Sequence, residues 1–398
     1  MAVGSLRHVA LVHRIGRAVD RTTKENDQCR FGSSDSRGIG QSVTSQIAPR
    51  VIGTGTALPA NYVDQDQISA RLRELWERRY SDLRRFDKIQ GALGISGRHL
   101  ALPIEEYLPL DTFAKTNDAW MRVAPEVGIE AARVALERAG LKPRDIDHLF
   151  FVTVTGIAVP SIDTRVISAL GMRKEIKRTP IFGLGCVAGA AGTARAADYI
   201  RAYPSEVAML LSIELCSLTL QREDLSIANI IASGLFGDGA AAMLIGGSDR
   251  EPKPGPQVVA TRSLVFPNTE EILGWEIVDT GFKIVLSSKL TDLVNTHILS
   301  EVDSFLATQD IDRSRIKHWI AHAGGPKVLQ TLEGALSLPE AALARSWRSL
   351  RSVGNLSSAS IMFILDELLE DAVAMPGDYG MIIGMGPGFS VELVLLKW

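Results

Sequence analysis

From Val51 onward, short apolar runs rich in Val, Ile and Phe alternate with longer stretches in which apolar residues recur every three or four positions. An unbroken short apolar run, or a period of two, marks a strand; a period near 3.6 marks a helix. The pattern predicts strands at 51–56, 149–155, 179–182, 207–215, 240–245, 258–265, 318–322, 380–383 and 390–396. It predicts helices at 127–139, 187–202, 290–307, 326–335 and 357–372. Such alternation is that of an α/β protein, and most of the strands read as buried on both faces.

Gly246, Gly247, Ser248, Asp249 and the prolines between 252 and 256 interrupt the rhythm. They divide the chain into an N-terminal half at 49–247 and a C-terminal half at 248–398. The halves share a similar strand and helix rhythm without a short-period repeat. Residues 1–48 are rich in Arg, Ser, Gly and Thr and read as a poorly ordered extension; Asp20, Glu25, Asp27 and Asp35 argue against an organelle-targeting leader.

Composition narrows the function classes. With 46% hydrophobic and 22% charged residues, the 398-residue chain can bury a large core. A formal charge of −3 and a pI near 6.2 give no overall basic field for nucleic acid or an anionic membrane surface, so any anion site must be local. Cys29, Cys186 and Cys216 form neither a Cys-x-x-Cys metal knuckle nor a secreted disulfide framework, which suits a reducing, cytoplasmic compartment. No stretch reaches the roughly 18 to 20 apolar residues of a membrane-spanning helix.

Ile181-Phe182-Gly183-Leu184-Gly185-Cys186-Val187-Ala188-Gly189-Ala190-Ala191-Gly192 carries the strongest local chemistry, an apolar strand turning through glycines into a helix of small residues. Cys186 sits at the turn, where the unpaired N–H groups of a helix start would depress a thiol pKa and make a nucleophile. Two other readings compete. A free Cys in apolar context is often a plain core residue. Gly183-x-Gly185-x-x-Ala188 also matches a relaxed dinucleotide fingerprint, with Glu214 as its ribose-binding acid, although Glu214 lies beyond the usual spacing of about 20 residues.

In Trp319-Ile320-Ala321-His322-Ala323-Gly324-Gly325-Pro326-Lys327 an apolar strand ends in His322 beside a glycine turn, and in Gly354-Asn355-Leu356-Ser357-Ser358 Asn355 opens an apolar helix, where it could equally be a cap. Together Cys, His and Asn make a thioester-handling set. Imidazole activates the thiol, and the imidazole and amide can then stabilise an enolate oxygen formed by decarboxylation.

Cys186 in Gly-Cys-Val-Ala-Gly, His322 in His-Ala-Gly-Gly-Pro and Asn355 in Gly-Asn-Leu-Ser-Ser resemble the catalytic triad of type III polyketide synthases, the chalcone and stilbene synthase superfamily. Leu235-Phe236-Gly237-Asp238-Gly239-Ala240-Ala241 resembles the segment whose Phe orients malonyl-CoA. Gly384-Met385-Gly386-Pro387-Gly388-Phe389 resembles the Gly-Pro-Gly loop lining the cavity. The likeness runs from Val51 to Trp398. It implies a thiolase-type αβαβα fold of two similar halves, a homodimer, acyl-CoA and malonyl-CoA as substrates, and no metal or redox cofactor.

Within the family the chain looks most like bacterial alkylpyrone and alkylresorcinol synthases, which use medium to long fatty acyl starters. The resemblance implies that Thr155, Cys216, Thr219, Trp275 and Gly386, Pro387 and Gly388 join Phe236 around the substrate. Arg84, Arg85, Lys88, Arg98 and Lys327 would meet the phosphates of coenzyme A. Plant chalcone synthases have Thr where Cys216 stands, Met at Val159 near the dimer contact, and Gly at Trp275; tetrahydroxynaphthalene synthases share the Cys. Trp275 would crowd out a bulky aromatic starter. The alternatives are tetrahydroxynaphthalene- or chalcone-type specificity, a single condensation as in ketoacyl synthase III, and the NAD(P)-dependent oxidoreductase suggested by the glycine fingerprint.

Overall fold

A computed structural model describes residues 48–80, 82–247 and 255–398. The expected extension at 1–48, apart from its last residue, and much of the proposed junction lie outside the described residues. In chain order the strands are β1 (Arg50–Ala57), β2 (Asn61–Asp64), β3 (Gly97–Leu100), β4 (His148–Thr153), β5 (Lys177–Phe182), β6 (Val207–Leu215), β7 (Asp238–Gly246), β8 (Gln257–Val265), β9 (Leu273–Val278), β10 (Gly281–Leu286), β11 (Ile316–Ala321), β12 (Tyr379–Gly386) and β13 (Ser390–Lys397). The helices are α1 (Gln65–Trp76), α2 (Leu83–Gly91), α3 (Phe113–Ala139), α4 (Asp163–Leu170), α5 (Ala188–Ala202), α6 (Ile227–Leu235), α7 (Leu290–Ala307), α8 (Pro326–Ala335), α9 (Ala344–Val353) and α10 (Ser360–Glu370).

Nine strands hydrogen-bond in the order β11-β12-β13-β8-β1-β7-β6-β4-β5. Each half repeats one scheme. In the first, β1 pairs antiparallel with β7, β7 antiparallel with β6, and β6 parallel with β4. In the second, β8 pairs antiparallel with β13, β13 antiparallel with β12, and β12 parallel with β11. One residue pair, Arg50 with Gln257, joins the two half-sheets. This is the expected fold of two similar halves.

Three helical layers cover these half-sheets. On the outside, α3 packs against β1, β7 and β6. At the centre, α5 touches β4, β6 and β7 of one half and β8, β12 and β13 of the other, and α10 reaches both β1 and β11. Small residues make this possible. A Cβ added to Gly384 would stand 2.6 Å from Cβ of Ala190, and one added to Gly189 would strike the carbonyl oxygen of Ser358. On the far side, Val294, Ile298, Val302 and Phe305 of α7 join the larger hydrophobic core. No helix among the described residues is long and apolar enough to cross a membrane.

The central layer positions the chemistry. Both α5 and α10 begin after a short 3-10 turn, Gly185–Val187 and Ser357–Ala359, and those turns pack on one another. Cys186 and Asn355 therefore come from equivalent places in the two halves, each just ahead of a central helix.

Candidate active site

Gly185 takes a left-handed φ of 57°, which lets the chain turn tightly before Cys186. A Cβ there would lie 2.6 Å from Cδ of Pro387, and one on Gly386 would lie 2.7 Å from the backbone nitrogen of Val187. The Gly386-Pro387-Gly388 turn thus presses directly on the cysteine turn. Its shape is held by the Ser390 hydroxyl, which donates to the Pro387 carbonyl at 2.7 Å.

A chain of polar contacts links the three expected residues. Sγ of Cys186 is 3.5 Å from the Ser357 hydroxyl. The backbone N–H of Ser357 donates to Oδ1 of Asn355 at 2.8 Å, and Nδ2 of Asn355 donates to the Gly324 carbonyl at 3.3 Å. Gly324 lies two residues beyond His322 and donates its own N–H to the His322 carbonyl at 2.8 Å. His322 caps β11 and is tied to β12 by its N–H to the Ile383 carbonyl, at 2.9 Å. Asn355 is clamped further, donating its N–H to Leu235 and accepting from the N–H of Gly237 in a bridge beside Phe236. With its oxygen held by Ser357, the amide directs its NH₂ elsewhere.

Burial sets the resting protonation. Cys186, His322 and Asn355 are 9%, 3% and 2% exposed. Desolvation pushes the Cys186 thiol up to about 12, against the lowering contact from Ser357 and with a further raise from Glu214. Loss of hydration also pushes His322 down to about 4, and its Nδ1 has no hydrogen-bond partner among the described residues. The depressed thiol pKa expected from the helix start is therefore not found: burial dominates and favours a neutral thiol and a neutral imidazole.

Glu214 is fully buried, which drives its carboxyl up to about 7. It accepts from the Val154 N–H at 3.1 Å, from the Thr155 hydroxyl at 3.0 Å and from the Ser358 hydroxyl. That arrangement leaves nothing for a ribose and overturns the dinucleotide reading. Thr155 is also committed, since its hydroxyl accepts from the Leu215 N–H at 3.0 Å while donating to Glu214.

A cavity of about 450 Å³ opens beside this centre. Cys216, Thr219, Phe236 and Trp275 line it, as the sequence implies. Trp275 stands 6.3 Å from Phe236 between ring centroids, closing one side. The wall includes neither Thr155 nor the Gly386-Pro387-Gly388 turn, and it does not include Cys186, His322 or Asn355. Phe236 connects the two regions through its bridge to Asn355. The remaining wall is mixed: Ile68, Leu72 and Leu75 of α1 with Leu100, Ile104 and Leu220 supply aliphatic surface, and Arg71, Glu74, Arg78, Glu105 and Arg222 supply charge.

Of the expected phosphate-binding cations, Arg84, Arg85 and Lys88 are exposed on α2, and Lys327 is exposed in the first turn of α8. Arg98 is a correction. It is 2% exposed and donates to the Phe236 carbonyl and, at 3.1 Å, to the Ser233 carbonyl. Desolvation lowers it to about 10, opposed by the neighbouring Asp238. A guanidinium held this way braces the segment carrying Phe236 and offers no charge to solvent.

Some residues escaped the sequence. Nothing in Ser357-Ser358-x-Ser360 distinguishes the serine that touches sulfur, because its position depends on a left-handed φ of 50°. Tyr107 and Ser217 form a second polar group on the cavity wall: their hydroxyls lie 2.5 Å apart, and Ser217 also donates to buried Asp238. A lone Tyr and a lone Ser give no signal of that pairing.

The N-terminal domain of chalcone and stilbene synthases matches residues 38–249, and their C-terminal domain matches residues 257–398. The chain is 45% identical over 350 residues to 1,3,6,8-tetrahydroxynaphthalene synthase of Streptomyces peucetius subsp. caesius, covering 87% of this chain and 93% of that protein. It is 30% identical over 373 residues to 3,5-dihydroxyphenylacetyl-CoA synthase of Streptomyces toyocaensis, covering 90% and 92%. The crystal structure of the Streptomyces coelicolor A3(2) tetrahydroxynaphthalene synthase superposes with a TM-score of 0.83 at 28% identity, over 88% of this chain and 99% of that one. With its thiolase-type fold and both domains matched, the chain belongs to the chalcone and stilbene synthase family and is a type III polyketide synthase, an acyltransferase.

Proposed function

We propose that the chain loads an acyl group from coenzyme A onto Cys186 and extends it with malonyl-CoA under the control of His322 and Asn355. The observation that carries this reading is the contact chain from Cys186 through Ser357 and Asn355 to the turn after His322. In loading, the thiol attacks the acyl thioester, its proton passes to the neutral imidazole, and that proton leaves on the coenzyme A sulfur. In extension, the bond between the malonyl carboxylate and its α-carbon breaks and CO₂ departs. The oxygen that gains charge accepts hydrogen bonds from the ring N–H of neutral His322 and from the Asn355 amide, worth about 3 to 4 kcal/mol per donor in a buried site. The enolate carbon then attacks the Cys186 thioester and expels the thiolate, transferring the lengthened chain to coenzyme A. No metal or redox group enters these steps.

The aliphatic side chains in the wall of the 450 Å³ cavity, among them Ile68, Leu72, Leu100 and Leu220, favour a medium- or long-chain fatty acyl starter, with alkylpyrones or alkylresorcinols as products. Each methylene buried there contributes about 0.8 kcal/mol, so preference should rise with length until the cavity is full. The 45% relative favours a second reading, in which malonyl-CoA is its own starter and the product is of the tetrahydroxynaphthalene type. Mass spectrometry of products separates them. Turnover with malonyl-CoA alone supports the second; efficient turnover only when lauroyl-CoA or longer is added supports the first.

Exposed Arg84, Arg85, Lys88 and Lys327 are the cations available to the phosphates of coenzyme A. Homodimer formation is supported by exposed apolar residues, among them Val159, 96% exposed after β4, and Phe182 at the end of edge strand β5, 49% exposed. Sedimentation of a Val159→Asp variant as a monomer would bear that out.

A further inference from the structure

Helix α1 and the turn after it form a wall of the cavity that carries both apolar and charged side chains. Ile68, Arg71, Leu72, Glu74 and Leu75 of α1 line it, and Arg78 lines it from the turn just beyond the helix, which ends at Trp76. From position 68 to the helix end at position 76 the wall runs about 12 Å. Ile68 is 5% exposed, whereas Arg78 is exposed, so the cavity passes from an apolar interior to a charged opening.

The charges at that opening are not balanced. Glu74 lies 3.0 Å from Arg71, and Glu105 lies 3.9 Å from the same guanidinium. Nearby Glu223 pairs with Arg79, and Asp111 with Lys115 at 2.7 Å. Arg222 lines the opening, donates to the carbonyl oxygens of Leu108, at 2.5 Å, and Tyr107, and its charge reaches the carboxylate of Asp111. Arg78 has no hydrogen-bond or ion-pair partner among the described residues. Arg78 is therefore the guanidinium at the exposed end of the cavity that no carboxylate pairs with among the described residues. Arg84, Arg85, Lys88 and Lys327, the cations assigned to coenzyme A, do not line this cavity.

We propose that this opening is a carboxylate site centred on Arg78, and that the enzyme takes acyl starters whose far end carries a carboxylate. The inference rests on the proposed loading of Cys186 and names the substrate class of that same site. An alkyl segment occupies the channel, and its terminal carboxylate accepts hydrogen bonds from Arg78, with Arg222 adding favourable charge. Such an exposed pair is worth a modest factor and weakens with salt.

The test compares matched pairs of starters of increasing length, each fatty acyl-CoA against its ω-carboxylated counterpart, with malonyl-CoA as extender. For the wild-type enzyme, Arg78→Gln and Arg78→Lys, kcat/KM is measured at low and at high salt. Arg78→Gln should lower kcat/KM for the ω-carboxylated member by roughly two- to fivefold at the best-fitting length and leave the plain member unchanged. Arg78→Lys should retain most of the wild-type ratio, and high salt should shrink the difference. Equal losses for both members would place Arg78 on coenzyme A and overturn the proposal. An unmoved ratio at every length overturns it too, while Cys186 loading stands. If neither member acylates the wild-type enzyme, the proposed function itself falls with it.

Discussion

Replacing Arg98 by Met separates a brace from a coenzyme A contact. The wild-type side chain is almost wholly buried, donates to the carbonyls of Phe236 and Ser233, and lies beside Asp238. Methionine fills similar space but removes two charge-assisted hydrogen bonds of about 1.5 to 3 kcal/mol each. It also removes a favourable charge near buried Asp238, which keeps its hydrogen bonds from Ala101 and Ser217. These contributions overlap, so the expected loss is about 3 to 5 kcal/mol, or a fall in Tm of roughly 5 to 15 °C. Because the Phe236 segment also holds Asn355 through backbone bonds, kcat should drop at temperatures where the variant is still folded. Thermal denaturation and steady-state kinetics on the same preparation provide the readout. A raised KM for coenzyme A thioesters with unchanged Tm and kcat would refute the reasoning and restore Arg98 to the phosphate site.

Three further outcomes follow from the same geometry. Gly189→Ala should cost about 1 to 3 kcal/mol and slow acylation, since its Cβ would strike the Ser358 carbonyl in the turn that places Ser357; urea denaturation and loading rates check both. Glu214 is held at about 7 when folded against an ordinary 4.5, so the folded state binds its proton more tightly. Its contribution to stability is full below about pH 4.5 and is lost as pH rises through 7, at about 1 kcal/mol per pH unit, and Glu214→Gln should remove that dependence from denaturation curves. Trp275→Ala should open the wall beside Phe236 and raise kcat/KM for coumaroyl-CoA relative to lauroyl-CoA; an unchanged ratio would show that Trp275 does not limit starter width.

Strands buried on both faces were the easiest elements to read. The predicted 207–215 coincides with β6, every residue of which is buried. The hairpin β9–β10 was not anticipated, because it is half-exposed and pairs Glu276 with Lys283 across its strands, so no continuous apolar run marks it. Helix α1 was missed because its apolar positions are separated by Arg71, Arg73 and Glu74, and α3 proved longer than the predicted 127–139 because its first turns are polar and start from a Thr112 cap. The positions of Cys186, His322 and Asn355 were legible because each lies at the end of an element beside glycines. What sequence could not give was burial. It alone decides that Arg98 is a brace, that Glu214 keeps a raised carboxyl pKa, and that desolvation outweighs the helix start at Cys186.

The central claim is that Cys186 carries the growing chain. Incubating the wild-type protein and Cys186→Ala with a fatty acyl-CoA, followed by intact-mass measurement and peptide mapping, tests it most directly. The account predicts one acyl increment on the peptide containing Cys186 and none on the variant; an increment that persists in Cys186→Ala, or that maps to Cys216, would contradict it.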